Sequence, residues 1–181
     1  MIKVIAFDLV GVLVKEKDIE LSIEESKLER LFGTNLNDND YLNQAQKIVK
    51  HNSDIIKITK SLINKLYLVK NSYVIKELKN QNNNIKIIIA TNHLSYIRNF
   101  IESSFDKSYL DDVIISAEIN KIKPNPDFYN YILEKLNIEP SELLFLDDNI
   151  ENINGANKLG INTIKVEKNM DILKEINNII Y

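Results

Sequence analysis

Five short runs of aliphatic and β-branched residues recur along the chain, at Val4–Phe7, Ile85–Ala90, Val113–Ser116, Leu143–Leu146 and Thr163–Val166. Most are almost continuously apolar. A strand with one solvated face alternates apolar and polar positions, so unbroken runs of this length predict strands covered on both faces, as in a parallel sheet. Helical spacing takes over between the later runs. Phe128, Tyr131, Ile132 and Leu136 mark one apolar stripe, and the stretch from Ile150 to Leu159 supplies another. Strand alternating with helix predicts an α/β fold built on a Rossmann-like, doubly wound parallel sheet.

The pattern changes between the first two runs. Ser22-Ile23-Glu24-Glu25 has the form of a capping box, and Leu28, Leu31 and Phe32 follow at helical spacing until Gly33 ends the element. Tyr41, Leu42, Ala45, Ile48 and Val49 form a second amphipathic stripe. Ser53 is placed to cap a third helix, with Ile55, Ile58, Leu62 and Leu66 on one face. A further helix from Tyr73 to Lys79 leads into the second strand. Residues 16–70 are thus expected to form an all-helical insertion, leaving residues 1–15 and 71–181 for the α/β core.

Composition narrows the function classes. A chain of 181 residues fits one domain with a modest insertion. Its net charge of −3 and lack of a basic run argue against nucleic acid as a partner. With no cysteine, disulfides, thiolate chemistry and thiolate metal sites are excluded. Asp8 interrupts the N-terminal apolar run too early for a signal peptide, and no stretch approaches the ~20 apolar residues of a membrane span. The expected location is the cytoplasm, with no membrane partner; the pattern says nothing of oligomeric state. The Asn82-Asn83-Asn84 run fits a turn in an asparagine-rich chain.

Ligands of an open parallel sheet bind beyond the carboxyl ends of its strands. After Phe7 comes Asp8; after Ala90 come Thr91 and Asn92; beyond Ser116 come Lys123 and Pro124; after Leu146 come Asp147 and Asp148. Clustered carboxylates suit a hard cation such as Mg²⁺. A lysine and a threonine hydroxyl suit phosphoryl oxygens, and Asp8 is placed as a covalent nucleophile. Taken singly, each has a structural reading. Asp8 could be a turn residue, Thr91 and Asn92 a helix cap, the Lys123–Pro126 stretch an extended loop, and Asp147 and Asp148 carboxylates at a helix dipole. Their recurrence at the same end of successive strands favours the joint, chemical reading.

These residues also carry a family resemblance. Phe7-Asp8-Leu9-Val10-Gly11-Val12-Leu13, Ile88-Ile89-Ala90-Thr91-Asn92, Lys123-Pro124-Asn125-Pro126-Asp127-Phe128-Tyr129 and Leu146-Asp147-Asp148-Asn149-Ile150-Glu151-Asn152 resemble, in order, the four signatures of the haloacid dehalogenase superfamily. The resemblance implies a Rossmann-like core with a helical cap inserted after the first strand. It implies that Asp8 attacks phosphorus to form an aspartyl-phosphate, that Thr91 and the backbone amide of Asn92 hold the phosphoryl oxygens, and that Lys123 neutralises both. It also implies Mg²⁺ held by Asp8, the Val10 carbonyl and Asp148, with Asp147 beside it or acting through water, and Asn152 bracing the last loop. The expected substrate is a small phosphorylated metabolite, chosen by the cap.

Val10 departs from that pattern. Phosphatases of the family usually carry a second aspartate there, which protonates the leaving group and later activates water. General acid–base catalysis is typically worth ~10²–10⁴-fold in rate. Three readings follow: a phosphatase that is slow or restricted to good leaving groups, with His93 or a cap residue as alternative proton donors; a non-catalytic protein that binds phosphate and Mg²⁺ or a protein partner; and a 2-haloacid dehalogenase. The dehalogenase ranks last, since its chemistry does not need the Asp147-Asp148 pair. His93, one histidine near a helix start, is expected on the solvated surface. A receiver domain is excluded because its acidic pair follows the first strand, and P-loop and dinucleotide-binding folds because the four glycines are not arranged for phosphate.

Overall fold

The computed structural model describes residues 1–34, 37–49 and 54–181. The described chain runs β1 (Val4–Phe7), β2 (Val14–Glu16), α1 (Ile23–Glu29), α2 (Asp38–Ala45), α3 (Ile55–Leu66), β3 (Tyr67–Val69), α4 (Ser72–Gln81), β4 (Lys86–Thr91), α5 (Ile97–Ser104), β5 (Asp112–Ile115), α6 (Ser116–Ile119), α7 (Pro126–Leu136), β6 (Leu143–Asp147), α8 (Ile150–Asn157), β7 (Asn162–Lys165) and α9 (Ile172–Ile180). Five strands pair in parallel in the order β5-β4-β1-β6-β7. The fold is the expected α/β, Rossmann-like sheet.

The continuous apolar runs have the predicted cause. Every residue of β1 is fully buried, and the two sides of the sheet feed different cores. Ile5, Phe7, Ile87, Ile89, Leu144 and Leu146 face one cluster, which extends into Leu28, Tyr41 and Leu62 of the helical insertion. Val4, Ala6, Ile88, Ala90 and Phe145 face the other, completed by Phe128, Tyr129 and Ile132 of α7. Fully burying one such side chain contributes about 1.5–3 kcal/mol, so both faces resist a register slip.

Several boundaries differ from the sequence reading. Strand β4 extends to Thr91 and β6 to Asp147, while Ser116 leaves β5 and begins α6. The Ser22–Glu25 capping box forms as expected, with Glu25 N–H donating to Ser22 Oγ at 3.2 Å and Ser22 N–H to Glu25 Oε2 at 2.8 Å. Helix α1 nevertheless stops at Glu29, and Leu31 and Phe32 occupy the following turn, where their amides reach Leu28 and Glu29 carbonyls. Ile48 and Val49 likewise follow α2 in a turn. Ser53 lies outside the described residues; Asp54 caps α3 by accepting from Lys57 N–H at 3.0 Å.

The sequence reading contained no strand at either end of the helical insertion. Strands β2 and β3 pair there as a two-stranded antiparallel ribbon, Val14 opposite Val69 and Glu16 opposite Tyr67. Each is three residues long, too short to show a period of two. Among the described residues, no helix is long and apolar enough to cross a membrane.

Candidate active site

The chain leaves β1 at Asp8, whose backbone N–H donates to the Leu146 carbonyl at 2.8 Å and so stays in line with the sheet. The next residues turn back on themselves: Leu13 and Val14 N–H both donate to the Leu9 carbonyl at 2.9 Å, and Gly11 N–H donates to Val14 at 2.8 Å. Across a trans peptide the carbonyl points opposite to the N–H, so the Gly11–Val14 bond turns the Val10 carbonyl the other way. Gly11 has φ +94°, and a Cβ there would lie 2.1 Å from Asp148 Oδ2. The positive φ favours glycine, and a side chain there would also have to displace the Asp148 carboxylate.

Lys123 is the centre of the cluster. The residue is 3% exposed, and its ammonium donates to Asp8 Oδ1 at 2.6 Å, to Asp147 Oδ2 at 2.7 Å and to the Ala90 carbonyl at 2.9 Å. All three hydrogens of the ammonium have acceptors, which a buried cation requires. Asp147 is held from two further sides, by Asn152 Nδ2 at 3.0 Å and by Asn149 N–H at 2.8 Å. Asn92 locks the lysine loop in place: its carboxamide accepts from Lys123 N–H at 3.0 Å and donates to Lys123 carbonyl at 2.9 Å. Helix α8 approaches the same loop, and a Cβ on Gly155 would lie 2.7 Å from the Pro124 carbonyl oxygen.

The alternative capping roles are not taken up. Helix α5 begins only at Ile97, with Tyr96 before it, so Thr91 and Asn92 do not cap it. Helix α8 is capped by Asn149, which accepts from Glu151 N–H, and not by Asp147 or Asp148.

Burial sets the charge states. It pushes the Asp8 carboxyl up to about 6 against the pull of Lys123, with Asp147 adding to the rise. Burial alone would strip the Lys123 proton, but Asp8 and Asp147 outweigh it and hold the ammonium above its usual value. Asp148, exposed at the rim, is raised by partial burial and by Asp147. Carboxylate oxygens of Asp8, Asp147 and Asp148 lie within 4.8 Å of one another, an all-oxygen, strongly negative donor set that fits a hard divalent cation.

The structure thus brings Asp8, Thr91, Asn92, Lys123, Asp147, Asp148 and Asn152 to one end of the sheet, with Val10 in the adjoining loop. His93 departs from expectation. It is 2% exposed, covered by the rings of Phe32 and Tyr67, and burial lowers its pKa to about 4. A buried imidazole that stays neutral is no proton donor at neutral pH. Tyr67 and Ser116, both in contact with His93, were invisible to sequence reasoning because their partners are remote along the chain.

Removing the central cation should be costly. Lys123→Met would leave Asp8 and Asp147 buried without their counter-charge, and losing one partner of a buried ion pair typically costs about 3–5 kcal/mol. Urea unfolding of the metal-free protein at pH 7 should register that loss. A drop below ~1 kcal/mol would mean that the ammonium does not neutralise the pair.

A parallel α/β sheet that gathers a buried lysine and three aspartates at its carboxyl edge has the chemistry that carboxylate-centred α/β hydrolases require. Comparison with known proteins specifies it further. The profile of the family described as haloacid dehalogenase-like hydrolase matches residues 4–166, and the chain belongs to that family. One curated relative, D-ribitol-5-phosphate phosphatase of Bacteroides thetaiotaomicron, is 31% identical over 68 residues, 38% of this chain and 33% of that protein. Another, (S)-2-haloacid dehalogenase 1 of Pseudomonas sp. (strain CBS-3), is 28% identical over 81 residues, 45% of this chain and 36% of that protein. The chain spans about a third of the length of each, and 13% of the bifunctional epoxide hydrolase 2 of Mus musculus, which is 35% identical over 71 residues, 39% of this chain. Among solved structures, a haloacid dehalogenase family enzyme of Bacteroides thetaiotaomicron, in complex with magnesium and inorganic phosphate, superposes with a TM-score of 0.75 at 18% identity, covering 97% of this chain and 99% of that one.

Proposed function

We propose that the protein is a Mg²⁺-dependent phosphatase of a small phosphorylated metabolite, working through an aspartyl-phosphate on Asp8. The observation that carries this reading is the Lys123 ammonium between Asp8 and Asp147, with Asp148 completing a cluster of oxygen donors. Lys123 takes Asp8 Oδ1, which leaves Oδ2 as the attacking atom. Its attack on phosphorus forms the Asp8–phosphate bond as the phosphorus–oxygen bond to the leaving group breaks. Water then attacks the same phosphorus as the Asp8–phosphate bond breaks, which restores the carboxylate; of the water's protons, one stays on the released inorganic phosphate and the other passes through solvent to the departed leaving group. Thr91 and the Asn92 amide would hold the equatorial oxygens, and Lys123 would meet their growing charge.

Asp8, the Val10 carbonyl and Asp148 would hold Mg²⁺, which supplies charge neutralisation between carboxylate and phosphoryl oxygens. Asp147 faces the same cluster, but both its oxygens already accept bonds from Lys123, Asn152 and Asn149. Its role would be to position Lys123 and the Asp148 loop. Residues 16–70 would act as the cap, hinged at the ribbon of β2 and β3, over a core of residues 1–15 and 71–181. A phosphatase of this kind would act on metabolites in the cytoplasm.

A second reading rests on Val10. Without a carboxyl at that position, and with His93 buried and neutral, the chain would bind Mg²⁺ and phosphate with little turnover. A third, 2-haloacid hydrolysis, has the support of a dehalogenase among the relatives. The deciding experiment is hydrolysis of an aryl phosphate by the full chain, with Mg²⁺ and after chelation. Phosphate release should require the metal and fall to background without it. Binding of Mg²⁺ and beryllofluoride with no release would favour the non-catalytic reading, and metal-independent halide release from a 2-haloacid would favour the third.

A further inference from the structure

The segment that follows Thr91 is gripped by the helical insertion at three of its first four residues, Asn92, His93 and Ser95. A Cβ on Gly33 would lie 3.3 Å from the Asn92 carbonyl oxygen, so the turn after α1 rests on that peptide. Phe32 covers the His93 ring at 5.1 Å between centroids. Tyr67, on the return strand β3, places its hydroxyl 3.1 Å from His93 Nε2. Asp38, in the first turn of α2, accepts from Ser95 N–H at 3.0 Å and from the Ser95 hydroxyl. From the core side, Ser116 Oγ accepts from His93 N–H at 3.0 Å and donates to the His93 carbonyl at 3.2 Å, fixing both ends of the residue.

The partners define the tautomer. His93 Nδ1 lies 3.3 Å from the Leu94 carbonyl, which can only accept, so Nδ1 carries the hydrogen and Nε2 accepts from the Tyr67 hydroxyl. That buried bond joins residues 26 apart in sequence. It ties the ribbon that attaches the insertion to the residue immediately after the proposed phosphoryl-binding pair.

We propose that Tyr67 and His93 are positioning residues: the Tyr67–His93 bond, closed by Ser116, holds the Asn92 backbone amide in the orientation that receives a phosphoryl oxygen. The functional half of this inference rests on the phosphatase reading, while the structural half does not. Seating of the insertion and shape of the anion-binding segment are then one property, and loosening the ribbon disorders the phosphoryl subsite before it touches the metal site.

Tyr67→Phe removes the bond and keeps the ring. In the full chain without ligands, amide exchange over residues 92–95 should accelerate about 3- to 10-fold, the range expected for one net hydrogen bond. Residues 9–14, which carry the metal loop, should keep their native rates. His93→Leu, the lesion on the other partner, should give the same local pattern, and the nitrogen shifts of native His93 should report the Nδ1–H tautomer. With Mg²⁺ present, the dissociation constant of inorganic phosphate and the KM for an aryl phosphate should rise together, with Mg²⁺ affinity unchanged. Unaltered exchange at residues 92–95, equal acceleration at residues 9–14, or an Nε2–H tautomer would each overturn the proposal. A native chain that binds no phosphate would instead sink the phosphatase reading, and the exchange comparison would still decide the latch.

Discussion

Asp8→Asn is expected to abolish aryl-phosphate turnover while leaving the folded protein as stable as the native one or more so. A carboxamide is no nucleophile toward phosphorus, and loss of a covalent catalytic group costs on the order of 10⁴–10⁶-fold. The stability half follows from charge. Burial raises the Asp8 carboxyl to about 6 from its ordinary 3.8. A raised folded-state pKa means that the group favours the folded state below about pH 3.8, and that this advantage is lost as pH climbs through 6. At pH 7 the folded protein therefore bears an ionised, poorly solvated Asp8. Asparagine relieves that penalty and leaves Lys123 paired with Asp147, a gain on the order of 1–3 kcal/mol. Metal-free protein unfolded by urea at pH 7 and pH 5 tests both halves. The native chain should be more stable at pH 5 than this variant's pH trend predicts, and the gap should close at pH 7 or invert. Turnover that survives in Asp8→Asn would refute the nucleophile assignment.

Val10→Asp should act in the opposite direction. The loop at Val10 is held by backbone bonds from Gly11, Leu13 and Val14, so a new side chain does not remove what shapes it. Val10 is half-buried against the apolar cluster, and burying a carboxyl there would cost about 1 kcal/mol. In return the leaving group gains a proton donor and the attacking water a base, worth ~10²–10⁴-fold. The gain should be large for an alkyl phosphate, whose alkoxide needs the proton, and small for a nitrophenyl phosphate, whose phenolate does not. Equal rates for the native chain and the variant on both substrates would show that proton transfer is already supplied or does not limit turnover.

The residues of the site were legible in the sequence because each follows an apolar run, and a parallel sheet delivers whatever follows its strands to one edge. Asp8, Thr91, Lys123 and Asp147 needed only that rule and the order of the runs. What escaped was set by pairings across the chain. Strands β2 and β3 carry no periodic signal in three residues, and their partnership, Val14 with Val69, spans the whole insertion. His93 reads as a surface histidine because nothing near it in sequence covers it; Phe32 and Tyr67 arrive from the insertion. The early end of α1 had a local cause that spacing hides. Leu31 and Phe32 continue a helical stripe on paper, yet the chain tightens after Glu29 and turns through Gly33 at φ +68°.

The contacts of Gly11 with Asp148 and of Gly155 with the Pro124 carbonyl bear on how such a protein can diversify. A Cβ on Gly155 would push helix α8 off the Pro124 loop, and a side chain at Gly11 would be strained at φ +94° and displace the Asp148 carboxylate, so both positions resist even alanine though neither carries a functional group. Variation aimed at new substrates therefore has room in the helices between β2 and β3. Libraries that spare the charged residues but randomise these two glycines would lose the site as surely as if they had struck the aspartates themselves.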